Sequence, residues 1–146
     1  MNRSMSIREF CDFHGACPEI RDSVLENYKN MKECWNKLHF EYLAWVATRP
    51  GVLTREELYS ICDFVDSEAS KVLDGGAYTR RTCFINYHFL GNCNNTLCIN
   101  FLEVCFLVSD ESNTPIDIVE NRFADWLRKN TKPNFKKVLT NSNQAV

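Results

Sequence analysis

The chain has 146 residues, 45% of them hydrophobic and 25% charged, with a formal net charge of −2. This composition fits one globular domain with a proper core and excludes wholesale disorder. The near-neutral charge argues against an electrostatically driven nucleic-acid binder and against a strongly acidic mimic of DNA.

No apolar run reaches the ~18 residues that would mark a membrane span. Met1 to Glu9 contain no apolar segment of the kind a signal peptide needs. The eight cysteines are therefore expected in a reducing compartment, the cytoplasm, as thiols or metal ligands and not as a disulfide frame.

Ser6 and Glu9 form a capping box that opens a short helix through Phe10 and Phe13, which Gly15 can end. Pro18 suits the first position of a second helix carrying Ile20, Val24 and Leu25. The stretch from Asn30 to Leu73 is then predicted to be a pair of antiparallel helices joined at Arg49-Pro50-Gly51. Asn30 caps the first, with Glu33 three residues on, and Cys34, Trp35, Leu38, Tyr42, Trp45 and Val46 form its stripe. Trp35 and Trp45 are expected to anchor the contact between the two helices. Thr54 and Glu57 make a capping box for the second helix, with Leu53 and Leu58 as a hydrophobic staple. Leu58, Ile61, Cys62, Val65, Ala69, Val72 and Leu73 follow at helical spacing, and Asp74-Gly75-Gly76 is the stop.

Residues 79–109 admit two readings. Thr82 to Leu90 is rich in aromatic and β-branched residues, and with a loop at 91–95 it could pair as a hairpin with the apolar segment beyond. Leu97 to Val108, however, is long for a strand and does not alternate. As a helix capped by Thr96 it is apolar nearly all round, with only Asn100 and Glu103 polar, and would be the buried centre of a bundle. Helix is the preferred reading for 97–108, and helix is also taken for 80–90. Thr114-Pro115 begins a last helix, with Asp117 as the capping carboxylate, a stripe of Ile116, Val119, Phe123, Trp126 and Leu127, and closure at Asn130 and Pro133. The tail from Thr140 is polar and short of anchors, so it is expected to be flexible.

Several residues carry a further likeness: Ala16-Cys17-Pro18-Glu19 with Arg21, then Met31 and Trp35, then Leu43 through Thr54 (LAWVATRPGVLT) with Glu57-Leu58. In these the first half resembles a family of small, uncharacterised phage and prophage proteins, some labelled as immunity proteins. The resemblance implies a helical scaffold and a mobile-element origin, with the host cytoplasm as the location, and no known chemistry. The second half departs from the family, having bulky aromatics and cysteines where such proteins are alanine-rich.

For chemistry, Cys11-x-x-His14-x-x-Cys17 has the most site-like spacing and could contribute three zinc ligands, with Cys34, His39 or the Cys93/Cys98 pair as a fourth. A second tight ligand pair is missing, so no metal and no other cofactor is expected, and free cysteine acts here as a small hydrophobe. His88 lies between Cys83 and Cys93, but nothing places either thiol in a nucleophile elbow. The basic clusters are Arg80-Arg81 and Arg128-Lys129 with Lys132, Lys136 and Lys137; the latter also suits the negative end of a helix.

The expectation is thus a mainly α protein, one helical-bundle domain of five or six helices over residues 1–139. Its alternative is an α+β domain with a β-hairpin at 82–108. Without a catalytic constellation, the expected function is non-enzymatic binding of a host or phage protein, as an inhibitor of a host defence protein or an immunity-type partner. The alternative is a zinc-stabilised or nucleic-acid-binding module. The expected contact is an aromatic spot in an acidic rim: Phe64, pointing away from the buried stripe of its helix, and Tyr59 at the edge of that stripe, surrounded by Asp63, Asp66, Ser67 and Glu68.

Overall fold

A computed structural model of the chain describes residues 3–72 and 94–137. The architecture is mainly α, with helices α1 (Ile7–His14), α2 (Pro18–Asn27), α3 (Met31–Lys37), α4 (Phe40–Ala47), α5 (Arg55–Val72), α6 (Asn94–Ser112) and α7 (Ile116–Asn130). Two-residue strands β1 (Arg3–Ser4) and β2 (Lys136–Lys137) pair antiparallel, an element the sequence pattern gives no hint of. The helix-or-strand ambiguity at 97–108 resolves to helix, so the α+β alternative loses its second strand. The segment 80–90, the stop at 74–76 and the tail from 140 lie outside the described residues.

The described residues gather into two compact units. One consists of the described residues of Met1–Leu38 and Asn134–Val146, the other of those of His39–Pro133.

In the first unit the Ser6–Glu9 capping box forms in full: Ser6 Oγ accepts the Glu9 amide at 3.1 Å and Glu9 Oε1 accepts the Ser6 amide at 2.9 Å. Glu9 also holds Arg3 at 2.8 Å, so one carboxylate both starts α1 and fixes β1. Gly15, at φ +74°, ends α1 in the left-handed region that favours glycine. Pro18 opens α2 as expected, yet α2 buries no residue. Phe135, just before β2, sits edge-on to Phe10 (5.7 Å) and Trp35 (6.1 Å). Those rings, with Ile7, Met31, Cys34 and Leu38, are this unit's core.

The long helix expected from Asn30 to Arg49 is two helices. Asn30 caps α3 by accepting the Glu33 amide at 2.8 Å. Leu38 and His39 are then extended (ψ 145° and 148°), and His39 Nδ1 caps α4 by accepting the Glu41 amide at 3.3 Å. No glycine or proline marks this break. What holds it is the imidazole, whose Nε2 lies 3.0 Å from Glu120 Oε1 on α7. Trp35 and Trp45 consequently fall in different units, and Trp45 is half-buried under the Arg49 guanidinium, 4.6 Å from its ring centre.

The second unit contains α4 to α7. The turn into α5 has Pro50 and Gly51 at its corners, Gly51 at φ +86° and the Val52 amide bonded back to Arg49, the type II arrangement. The Thr54–Glu57 box forms, and Glu57 Oε2 also accepts the Lys132 amide at 2.7 Å, tying the start of α5 to the end of α7. Leu53 and Leu58 are both buried, as a staple requires. The expected antiparallel pairing of α4 with α5 is not the main packing: α5 lies chiefly on α6, and α4 on α7 and α6. Helix α6 therefore touches three helices, which explains its apolar composition. Its C-terminus is a Schellman motif. Asn113 is at φ +55°, the Thr114 amide bonds Ser109 O at 3.0 Å and the Asn113 amide bonds Asp110 O. Helix α7 starts at Ile116 without any side-chain cap, so Asp117 contributes its charge to the first turn and is not the cap.

Candidate partner-binding surface

Phe64 is not an open anchor. Its ring stacks on Trp126 at 4.2 Å and 16°, and meets Phe123 at 4.9 Å and Phe101 at 6.2 Å. The sequence pattern misplaces it because α5 has two partners: the Leu58–Val65 line faces α6, while Phe64 fills the side toward α7. Tyr59 is half-buried beside Arg55, whose guanidinium lies 5.9 Å from its ring. Asp66 is half-buried with Oδ1 enclosed and without a hydrogen-bond partner among the described residues, and Asp63 is the exposed member of the four. One turn beyond Phe64, Glu68 is buried and accepts from Arg122 at 2.7 Å and from Lys71 at 2.9 Å. Burial pushes its carboxyl up, but the two hydrogen-bonded cations outweigh this and hold it below the ordinary glutamate value.

Cys11, His14 and Cys17 do not form a ligand set. Cys11 is buried and Cys17 exposed, and the His14 ring packs on Phe10 (4.4 Å) and Phe13 (4.9 Å). Among the described residues, no three His, Cys, Asp or Glu side chains come together to hold a metal. Burial pushes the thiols of Cys34 and Cys105 up to about 12 and raises those of Cys11 and Cys98. These stay protonated and are poor nucleophiles. Cys83, His88 and Cys93 lie outside the described residues, as does the Arg80-Arg81 pair. Among the described residues no helix is long and apolar enough to cross a membrane.

Large apolar side chains are exposed at Phe13, Ile20, Tyr42 and Ile118, and at two positions that share the outer face of α6. Ile99, Glu103, Phe106 and Asp110 follow at steps of four, three and four, which places them in one line along a helix. Ile99 is 55% and Phe106 60% exposed, while Leu97, Phe101, Val104 and Val108 on the opposite side are buried. A shallow groove of about 580 Å³ runs along Phe106 and Leu107 between Glu103 and Asp110. Ser109 and Asp110 also line a second depression, about 420 Å³, at the corner of Asn113–Ile116. The polarity of single residues misleads here. Asn100 is buried, with Nδ2 lacking a partner among the described residues, whereas Ile99 and Phe106 face out. The legible signal was the pair Glu103 and Asp110, seven residues apart, which marks the solvent side of an otherwise apolar helix.

Compared with family models, with curated proteins and with solved structures, the chain matches none.

Proposed function

We propose that the protein acts without catalysis, by binding another protein through the outer face of α6. The observation that carries this is the exposure of two large apolar side chains, Ile99 and Phe106, which alternate with the carboxylates of Glu103 and Asp110 in one line along the helix. An apolar anchor with a polar rim is the usual composition of an interface core and its edge. The narrower reading, an inhibitor of a defence protein or an immunity-type partner carried by a mobile element, rests on the resemblance within residues 16–58.

The test is affinity capture from the cytoplasm of the source cells with wild-type protein and with Phe106→Asp. The expected outcome is a stoichiometric protein captured by the wild type and lost from the variant, with unfolding free energy unchanged within about 0.5 kcal/mol, as for other surface changes. Equal capture by both would show that another face is used.

A further inference from the structure

The charges on α6 run against its own stability. Residues 94–112 include Glu103, Asp110 and Glu111 and no lysine or arginine. Asp110 and Glu111 stand in the last turn, at the negative end of the helix dipole, where carboxylates are unfavourable. The neighbouring long helices do the opposite. Helix α5 has Glu56 and Glu57 in its first turn and Lys71 in its last, and α7 has Asp117 first and Arg128 and Lys129 last. Among the described residues neither Glu103 nor Asp110 pairs with a cation. A local rule broken in this way, on the one face that also exposes Ile99 and Phe106, marks a surface shaped by something other than folding.

We infer that the outer face of α6 receives a basic amphipathic helix of another protein. This rests on the reading that the face binds protein, and adds what kind. Every backbone amide along the middle of α6 is used inside the helix, so a partner cannot add a strand and must read side chains alone. Glu103 and Asp110 are two turns apart, roughly 10.5 Å along the axis. Lysine or arginine at the same two-turn interval on an approaching helix meets both carboxylates. An apolar residue between the two cations meets Phe106, and another one turn beyond the cation that faces Glu103 meets Ile99, as ridges meet grooves in helix packing. A second copy of this chain does not fit: a two-fold pairing through α6 would set Glu103 and Asp110 against the same carboxylates, a like-charge contact.

The experiment titrates the full chain with two synthetic helical peptides of about 18 residues, five turns. Both carry leucines at spacings of three and four; one has lysines two turns apart, the other glutamates at those places. Fluorescence anisotropy measures affinity, amide chemical shifts locate the contact, and sedimentation records the state of the free chain. The basic peptide should bind one to one, about tenfold or more tighter than the acidic one, with shifts confined to α6. That preference should shrink as salt rises and should reverse in the Glu103→Lys/Asp110→Lys variant. Equal affinity for the two peptides, abolished by Phe106→Ser, would overturn the charge inference while leaving the face as a protein-binding surface. No binding of either peptide, or shifts elsewhere, would overturn the inference. If Phe106→Asp also captured as the wild type does, the reading of the face would fall with it. Self-association lost in Phe106→Ser would assign the face to a second copy and overturn it as well.

Discussion

The seam between α5 and α7 and the outer face of α6 use the same kinds of residue to opposite ends. In the seam Phe64, Phe123 and Trp126 lie ring to ring, and a carboxylate, Glu68, is enclosed with two cations. On the outer face Phe106 and Ile99 stand open, and the carboxylates of Glu103 and Asp110 have no cation among the described residues. An aromatic residue off its helix's main stripe is therefore no guide to an interface until the number of packing partners is known. Helix α5 has a second partner to absorb Phe64, and among the described residues α6 has none beyond Phe106.

The comparison breaks most sharply at Phe123, fully buried and touching Phe40, Phe64 and Phe101. Phe123→Ala should cost about 3–5 kcal/mol, as a large core truncation does, and denaturant unfolding would measure it. A loss under about 1 kcal/mol, close to the usual range of a surface change, would mean that the ring seam is not the structural part of the second unit.

Glu68 sharpens the same contrast by its pH dependence. Its folded pKa is depressed, so its stabilisation is present above the unfolded value of about 4.3 and is lost as pH falls through the lower folded value. Glu68→Gln should cost about 1–3 kcal/mol at neutral pH, less than for a fully enclosed pair because Arg122 and Lys71 are half in water. The variant should also lose less stability than the wild type on acidification, which unfolding curves at neutral and acid pH would record. Parallel acid limbs in the two proteins would contradict the assignment.

Much of the fold is legible in the sequence where local chemistry decides it. Ser6 with Glu9, Thr54 with Glu57, Pro18 and Gly15 each do what their spacing announces. The apolar run 97–108 is a helix, as its length and its lack of alternation imply. What was not legible depends on distant residues. The break at Leu38–His39 has no breaker residue and is held by Glu120, 81 positions away. The strand pair joins Arg3 to Lys137 from opposite ends of the chain. The candidate site fails for the same reason: only the position of α7 shows that Phe64 is covered, and only the packing of α6 on three helices shows which of its edges stays open.

The most direct measurement pairs unfolding free energy with partner capture for Phe64→Ala and Phe106→Ser. Phe64→Ala should lose about 2 kcal/mol, a half-buried ring's share of a core truncation, yet capture the partner fully at a temperature where it stays folded. Phe106→Ser should keep its stability within about 0.5 kcal/mol and lose capture. The reverse pattern, a stable Phe64→Ala that no longer captures and a Phe106→Ser that does, would return the interface to α5 and contradict the assignment to α6.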